Sequence, residues 1–405
     1  MKEKNENRVI VALAGIVMQL MLGSVYAWSV FKKPIMEGLG WSGPQVGLTF
    51  TLAILFLGIS AAFGGRFVDK AGSKTIATIS AILFGLGTII GGYAVATANL
   101  LLLWIGYGII AGIGNGLGYI TPIAILVRWF PDKKGLVTGF AVMGFGLGAA
   151  LMGQVAPLLI ASIGVANTFY ISGVFFLIIM LLAAQHLHNP PEGYMVAQAS
   201  NSNGKEVKAE THLTLGEALK MNQFYILWLT LFINVTAGIA LISNMSPLAQ
   251  SQVGLTAITA GTLVFGTSLF NGFGRLFWST LSDKFGRKSI FLMIIATQIP
   301  LFLFLSQITN VWLFGLACCW ILLCYGGGFG TMPSFAADTF GSKNIGGIYG
   351  PILTAWGAAA VVGPMIMEYV KQATNSFSPA FTFATAILAV GLIVVALYKK
   401  PKISL

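Results

Sequence analysis

The chain has 405 residues, of which 56% are hydrophobic and only 9% are charged. Soluble globular domains carry about 25% charged residues. This composition therefore excludes a soluble globular protein and indicates that most of the chain is surrounded by lipid. The formal net charge is +11, but the basic residues form short clusters between long apolar runs. A nucleic-acid-binding protein would instead gather its cations in a solvated stripe.

Long apolar segments recur from one end of the chain to the other. A transmembrane helix needs about 20 consecutive apolar residues. The sequence predicts twelve such helices, near residues 8–31, 44–66, 75–96, 99–128, 135–159, 166–187, 223–249, 256–281, 288–308, 311–337, 346–369 and 378–398. We therefore predict an all-α membrane protein.

One connection is longer and more polar than the others. Residues 188–222 are rich in Pro, Ser, Asn, Lys and Glu, which is typical of a linker. This segment divides the helices six and six. The predicted organisation is an N-terminal bundle over 1–188, a cytoplasmic linker over 189–222 and a C-terminal bundle over 223–405, the two bundles being pseudo-symmetric.

The basic residues predict the orientation of the helices. Of the 23 Lys and Arg residues, 19 fall on the side of the chain termini, and Lys32, Lys33 and Lys371 fall in the opposite loops. The remaining one, Arg275, lies inside an apolar segment. Loops rich in Lys and Arg stay in the cytoplasm, so we predict that both termini are cytoplasmic.

The two halves repeat one another in sequence. GGRFVDKAGSK (64–74) recurs as WSTLSDKFGRK (278–288), and NGLGY (115–119) in the fourth helix matches YGGGF (325–329) in the tenth. A duplicated six-helix unit with a long central loop is the layout of secondary transporters, whose halves rock about a central binding site.

The repeated loop motif resembles the signature of the major facilitator superfamily between its second and third helices. In this chain it comprises Asp69, Lys70, Gly72 and Lys74, repeated as Asp283, Lys284 and Arg287, although Ser279 replaces the leading glycine of the second copy. The resemblance implies a gating role for these residues, as an inter-helix latch that holds in one access state and breaks in the other. The alternative is that the charges only set topology, which leaves Asp69 and Asp283 unexplained because acids contribute little to it.

Segments throughout the chain are similar to the oxalate/formate antiporter family and to the monocarboxylate transporters. They are GSVYAWSVFKKPI (23–35), RWFPDKKGLVTGF (128–140), LFNGFGRLFWSTLSDKFGR (269–287) and YGGGF (325–329). The resemblance implies a carrier for small carboxylates in the plasma (inner) membrane of a prokaryote.

Arg275 is the one ionisable residue left when predicted helix ends and loops are set aside. Such an arginine is costly in lipid, so it should face an interior cavity. An unpaired buried cation needs an anion, and the planar guanidinium fork matches a carboxylate. We therefore predict that Arg275 binds the substrate; the alternative is an arginine that snorkels to the surface.

Asn271 lies one turn before Arg275 on the same face and is predicted to orient Arg275 or to bind a substrate hydroxyl group. Animal monocarboxylate transporters have an acid at the matching place. The amide in this chain therefore departs from their acid–arginine pair.

Asn115 and Tyr119 share one face of the fourth helix, and Tyr325 and Phe329 share one face of the tenth. We predict that these side chains line the cavity, because glycines around them leave room and tyrosine hydroxyl groups can donate to a carboxylate. The resemblance to the oxalate/formate carriers implies the same role for Tyr119, Tyr325 and Phe329, and adds Tyr26 and Trp28 in the first helix.

Trp356 bears on the choice of substrate. Carriers of the dianion oxalate have a lysine in the eleventh helix, and the matching position here is Trp356. One cation suits one carboxylate, and a second carboxylate against the indole would lack a partner. The predicted substrate is a small monocarboxylate such as lactate, pyruvate or a similar 2-hydroxy or 2-oxo acid, with formate also in the class.

Two coupling schemes remain open. Resemblance to the monocarboxylate transporters favours proton symport, with protons as a second partner. The absence of a predicted intramembrane acid favours obligate exchange of carboxylates. Symport is the slightly preferred interpretation.

Other functional classes are disfavoured. His186, His188 and His212 fall at the end of the sixth helix and in the linker, which is a poor arrangement for a metal site or an enzyme active site. No phosphate-binding motif precedes a lysine, so ATP-driven pumping is not expected. We predict no enzymatic activity, cofactor or metal, no nucleic-acid partner, and a monomer surrounded by lipid.

Overall fold

The computed structural model describes residues 2–130, 134–190, 213–341 and 345–401. The described parts of the chain form twelve long helices, as the sequence predicts. Most of the predicted linker lies outside the described residues, and so do Lys133, Lys205, Lys208, Lys343 and Lys402.

The N-terminal half contains six helices, α1 to α6. Helix α1 is broken into Lys2–Gly23, a 3-10 turn Ser24–Ala27 and Trp28–Leu39; α2 is Gly43–Ala71, α3 is Ser73–Ala96, and α4 runs through Leu100–Leu103, a π-helical segment Trp104–Ile110 and Ala111–Trp129. Helices α5 and α6 share Lys134–Ala184 and are divided at Gly164, where φ is 79° and ψ is 168°. A positive φ interrupts the helix there at no steric cost to glycine.

A short helical turn, Leu215–Ala218, precedes the C-terminal half. Hydrogen bonds from the main chain and hydroxyl group of its capping residue Thr214 hold the pKa of Glu217 below its ordinary value. The six helices of this half are α7 (Asn222–Val253), α8 (Ala257–Phe285), α9 (Arg287–Leu305), α10 (Val311–Phe340), α11 (Ile345–Thr374) and α12 (Ser378–Ala396).

Ten helical segments of the described chain are long and apolar enough to cross a membrane by length and composition. One of these, Gly139–Ala184, contains both α5 and α6, and α8 is not among the ten. Helix α8 carries Asn271, Arg275 and Asp283, which make it the most polar of the long helices in its half. Two of these polar side chains, Asn271 and Arg275, are buried within the protein.

Matched turns relate the two halves. The α1–α2 turn begins at Gly40 (φ 68°, ψ 16°), and the α7–α8 turn begins at Gly254 (φ 69°, ψ 23°). The repeated loop motifs turn at Gly72 (φ 83°, ψ 149°) and Gly286 (φ 84°, ψ 146°). All four positions have a positive φ, which favours glycine, and each pair has nearly the same backbone conformation.

The helix caps repeat in the same way. Asn99 begins α4 by accepting a hydrogen bond from the Leu102 amide, and Asn310 begins α10 by accepting one from the Leu313 amide. Such side chains satisfy the free amides at a helix start. The duplication seen in the sequence therefore extends to the local structure of corresponding helix starts.

Glycines allow the two halves to approach closely. A side chain at Gly146 of α5 would place its Cβ 2.8 Å from the Cα of Gly272 in α8. A Cβ at Gly58 of α2 would lie 2.8 Å from the main-chain nitrogen of Gly357 in α11. These contacts, α5 with α8 and α2 with α11, form two long seams between the halves, as small residues do in membrane helix packing.

Candidate functional site

Helix α8 carries Asn271 and Arg275 into the interior, where both are 1% exposed. Its position is fixed by α10, because Gly274 lies so close to the main chain of Leu323 that any side chain there would overlap it. Gly326 of α10 is in equally close contact with the main chain of Asn271. The glycines of both helices therefore hold α8 against α10 and aim Arg275 inward.

The guanidinium group of Arg275 is buried and makes no ion pair with the residues that the structure describes. None of its three nitrogen atoms makes a hydrogen bond to a residue that the structure describes. Its carbon Cζ lies 5.3 Å from the ring centroid of Phe329 and 5.8 Å from that of Phe145. Aromatic faces attract a cation, but they leave the guanidinium N–H donors unsatisfied.

Six aromatic side chains, which we call the aromatic cage, surround this cation. They are Tyr26, Tyr119 and Phe145 from the N-terminal half and Tyr325, Phe329 and Trp356 from the C-terminal half. All six have exposures of 0–2%. The cage is therefore built by both halves of the protein.

Trp356 contacts four of the other five rings of the aromatic cage. Its ring centroid is 4.8 Å from Phe329, 5.2 Å from Tyr119, 5.9 Å from Phe145 and 6.2 Å from Tyr26. The ring planes meet at 64–71°, the edge-to-face geometry that aromatic pairs prefer.

Two tyrosines join the halves directly. The hydroxyl groups of Tyr26 and Tyr325 are 2.5 Å apart and share a hydrogen bond. Tyr26 lies in the 3-10 turn that breaks α1, and Gly23 just before this turn packs against the main chain of Phe145. The break in α1 thus places the Tyr26 hydroxyl group in a hydrogen bond that joins the two halves.

The electrostatic influence of Arg275 extends over four tyrosine hydroxyl groups. They belong to Tyr26, Tyr119, Tyr325 and Tyr349. Tyr349, which was not among the predicted site residues, lies in the first turns of α11 and is 7% exposed. The signal that could have found it is its position two turns before Trp356, on the same face of α11.

A small cavity adjoins the cage. It is lined by Tyr26, Asn271 and six residues of α7, α8 and α10, namely Ile242, Met245, Val264, Thr267, Ser268 and Leu322. Its volume is about 10 Å³, which is room for roughly one water molecule. The Oδ1 atom of Asn271 is buried and makes no hydrogen bond to a described residue. An amide oxygen and a guanidinium group are therefore buried here and available for polar contacts.

Two predicted site residues make their contacts within the N-terminal half. Asn115 donates a hydrogen bond from Nδ2 to the main-chain oxygen of Leu22, at 3.0 Å. Trp28 stacks on Tyr107 with ring centroids 5.1 Å apart. Of the nine predicted residues, the structure brings Tyr26, Tyr119, Tyr325, Phe329 and Trp356 together around Arg275 and Asn271; the described contacts of Asn115 and Trp28 join α1 to α4.

The interpretation of Lys32 as a loop residue is wrong. Helix α1 continues eight residues beyond the predicted end, to Leu39, and Lys32 is 3% exposed within it. Its Nζ forms an ion pair with Glu368 of α11 and donates a hydrogen bond to Asn244 of α7. Arg275 is thus not the only ionisable side chain inside the protein. A continuous amphipathic stretch WSVFKKPIMEGL could have indicated the longer helix.

The predicted gating residues lie at the ends of helices on the side of the chain termini. The side chains of Asp69 and Lys70 are outside the described set, and Lys74 and Lys284 are exposed. Arg287 pairs with Asp283 at 2.7 Å and with Asp338 of α10 at 3.0 Å. In the C-terminal copy the charges therefore tie α8 and α9 to α10 within one half.

Comparisons with known proteins agree with this architecture. A model of the Major Facilitator Superfamily matches residues 11–364 and, in a second alignment, 227–404. The chain is 29% identical to the uncharacterized MFS-type transporter YhjX of Escherichia coli, over 87% of this chain and 86% of that protein. It is also 29% identical to the oxalate:formate antiporter of Oxalobacter formigenes, over 87% of this chain and 82% of the antiporter.

A solved structure of a D-xylose–proton symporter has the same fold, with a TM-score of 0.73, 17% sequence identity, and coverage of 97% of this chain and 98% of the symporter. A bacterial homologue of the human lysosomal transporter Spinster, inward-facing and unoccupied, matches with a TM-score of 0.70 and 15% identity over 96% of this chain and 95% of that one. The twelve-helix fold, the duplicated halves and the family match together show that this chain belongs to the Major Facilitator Superfamily.

Proposed function

We propose that this protein is a secondary active transporter of small monocarboxylates of the lactate and pyruvate type, working by alternating access as a proton symporter. The observation that carries the proposal is the unpartnered guanidinium group of Arg275 inside the aromatic cage. A buried cation that makes no ion pair with described residues is energetically unfavourable, and an anionic substrate would supply the missing counter-charge.

The chemistry of the cage fits a short carboxylate. The guanidinium fork can hold both carboxylate oxygens, and charge-assisted bonds of this kind are roughly twice as strong as neutral ones. The hydroxyl groups of Tyr119 and Tyr325 and the amide of Asn271 add polar contacts. The rings of Phe145, Phe329 and Trp356 can enclose a methyl group. A three-carbon 2-hydroxy or 2-oxo acid has a carboxylate for the guanidinium group, an oxygen at C2 for the polar contacts and a methyl group for the rings.

Trp356 supports a monoanion over a dianion. Its indole is fully buried and contacts four other rings of the cage. A second carboxylate would be buried beside this indole without a cation. The Nε1 donor of Trp356, which makes no hydrogen bond to a described residue, could not neutralise its charge, and burying an unpaired charge costs roughly several kcal/mol. Relatives named for related chemistry include an apicoplast pyruvate carrier of Toxoplasma gondii, 26% identical over 71% of this chain.

Obligate exchange of carboxylates is the second candidate function. The amide of Asn271 beside Arg275 favours it, because no acid among the described residues makes a contact with Arg275. An empty Arg275 site would then be costly to reorient, so that a second carboxylate returns. Likeness to the oxalate:formate antiporter, over most of both chains, supports this alternative.

The test is transport by the purified protein in liposomes. Labelled L-lactate uptake would be followed under an inward proton gradient with no internal substrate, and in parallel in vesicles preloaded with L-lactate. Symport gives concentrative uptake that stops when the gradient is dissipated. Exchange gives uptake only into preloaded vesicles.

The matched variants are Arg275→Lys, which keeps the charge but loses the fork, and Lys400→Arg at the exposed end of the chain. Arg275→Lys should abolish uptake in either scheme, and Lys400→Arg should leave it unchanged. Absence of uptake by the unmodified protein in both formats would overturn the substrate assignment.

The remaining features of the proposal concern the membrane context. We infer cytoplasmic termini from the bias of basic residues described above, and a monomer because two six-helix halves form a complete unit. The resemblance to bacterial carriers supports the plasma membrane of a prokaryote as its location. The N-terminal bundle (1–188) and the C-terminal bundle (223–405) would be the two moving units, joined by the cytoplasmic linker (189–222). Gating would involve Asp69, Lys70, Gly72 and Lys74 in one half and Asp283, Lys284 and Arg287 in the other.

A further inference from the structure

A second buried polar cluster lies apart from the aromatic cage, and we call it the external cluster. It comprises Lys32 of α1, Asn244 of α7 and Glu368 of α11. The side chains of Lys32 and Glu368 are each 4% exposed and form an ion pair. Lys32 also donates to Oδ1 of Asn244, which is itself fully buried. In the predicted orientation this end of the bundle faces the outside of the cell.

The external cluster joins the two halves. Lys32 belongs to the N-terminal half, and both of its partners belong to the C-terminal half. Residue Glu368 also packs against the start of α2, where a Cβ at Gly43 would lie 2.7 Å from Oε2 and one at Gly47 2.9 Å from Cγ. A side chain at either glycine would fill the space of the carboxylate, so α2 is shaped to receive it.

The charged surroundings of Glu368 are simple. Helix α1 presents Lys32, α2 presents the two glycines and α7 presents Asn244. The next charged groups are otherwise engaged: Lys33 is 3.7 Å from Glu37 and donates to Gln250 at 2.9 Å, and Lys371 donates to the main-chain oxygen of Asn375 at 2.9 Å. Lys32 is therefore the charged contact of Glu368 among the described residues.

Opening this end of the bundle must separate Lys32 from Glu368, because the pair bridges the halves. While both are charged, their attraction opposes separation. A proton on Glu368 cancels that attraction and leaves Lys32 buried without a counter-charge, which disfavours the closed arrangement.

We propose that Glu368 is a proton-binding site whose occupation releases Lys32 and opens the external side of the carrier. The proposal rests on the alternating-access part of the proposed function and on no particular substrate. It gives the proton a place in the cycle that is separate from Arg275, so that acidification outside increases the share of carriers open to the outside.

The experiment measures access to the cavity from outside the cell. Met245 lines the cavity beside Asn271 and is 2% exposed. Met245→Cys would be introduced into a background in which Cys318, Cys319 and Cys324 are replaced by alanine. Its rate of modification by a membrane-impermeant methanethiosulfonate would be followed in intact cells at about pH 4.0 and about pH 7.5, on either side of the ordinary pKa of a glutamate, about 4.3. Ala373→Cys, at the exposed end of α11, serves as the reference thiol that corrects for the effect of pH on the reagent.

The expected result is a modification rate that rises about threefold from pH 7.5 to pH 4.0 relative to the reference thiol, because about two thirds of the molecules of an ordinary glutamate carry a proton at pH 4.0. Glu368→Gln should react at the fast rate at both pH values, since it mimics the protonated acid. Lys32→Gln leaves an unpaired carboxylate and should also react fast at pH 7.5. The double variant Lys32→Gln/Glu368→Gln buries no charge, so it should close again, react slowly and lose its dependence on pH.

The double variant distinguishes the loss of an ion pair from general destabilisation. Two destabilising substitutions would raise the modification rate further, whereas removal of both charges should lower it. A slow, pH-independent rate in Glu368→Gln would overturn the proposal, and so would a double variant that reacts faster than both single ones. Labelling needs no substrate, so a protein that failed to transport L-lactate but showed these rates would keep its gate and lose only its substrate assignment.

Discussion

Replacing Arg275 by methionine should make the protein more stable and inactive. Methionine has a similar length and no charge, and it fills irregular apolar space well. In the native protein three guanidinium nitrogens are buried without a hydrogen bond to the described residues. Each unsatisfied buried donor costs about 1–3 kcal/mol. The two ring contacts, at 5.3 and 5.8 Å, return about 0.5–2 kcal/mol each.

The balance is a net cost of roughly 3 kcal/mol for burying the empty arginine. Removing that cost in Arg275→Met should raise the apparent unfolding temperature in detergent by roughly 3–6 °C. L-lactate at about 100 times its dissociation constant should stabilise the unmodified protein by about 2.7 kcal/mol. It should have no effect on the methionine variant, which lacks the carboxylate partner.

The assay is thermal unfolding followed by fluorescence, with and without L-lactate, for the native protein, Arg275→Met and Arg275→Lys. The lysine variant keeps the buried charge and should show no gain in stability. An Arg275→Met variant that unfolds at a lower temperature than the native protein would mean that the guanidinium group is already well satisfied, and the argument for an anionic ligand would fail. A lactate shift retained in that variant would refute the assignment of the site.

Three further perturbations test other parts of the structure. Trp356→Lys adds a second cation to the cage and should confer oxalate uptake in liposomes, whereas Trp356→Phe should not. A folded Trp356→Lys variant without oxalate uptake would contradict the argument that the number of cations in the cage selects between mono- and dicarboxylates. Gly274→Ala forces α8 away from α10 and should cut the yield of folded protein several-fold, as measured by size-exclusion chromatography. At Gly266 of the same helix a Cβ would meet nothing within 4 Å, so Gly266→Ala should leave the free energy of unfolding unchanged or raise it by roughly 0.5–1 kcal/mol, as measured by thermal unfolding. Tyr325→Phe loses the hydroxyl bond to Tyr26, worth about 1 kcal/mol, and should weaken L-lactate binding about fivefold by calorimetry; unchanged binding would show that the hydroxyl group serves closure alone.

The fold could be predicted from the sequence because hydrophobic length and loop charge are local properties. The break between α5 and α6, for example, follows from length, because the apolar run Gly139–Ala184 is about twice as long as one membrane crossing, and the structure places the break at Gly164. The π-helical segment Trp104–Ile110 was not predicted, since no local pattern distinguishes it from an ordinary helix.

The candidate site was predicted in part, for the same physical reason. Arg275 could be found because an isolated cation in an apolar segment can be recognised from the sequence alone. The pairing of Lys32 with Glu368 could not, because the two residues are 336 positions apart and each lies near an end of its helix. Sequence periodicity gives the face of a helix, but the partner across two bundles depends on how the bundles close.

The duplication of the bundle is not matched by a duplication of its charge. Aligning Asp69 with Asp283 places the small, buried Ala61 of α2 opposite Arg275 of α8. The anion would therefore be anchored to the C-terminal half alone, while the N-terminal half contributes Tyr26, Tyr119 and Phe145 as uncharged walls. During transport the cargo would travel as part of one half, and the other would move around it. The two halves, although related by duplication, would thus have different roles: the C-terminal half would bind the anion, and the N-terminal half would enclose it.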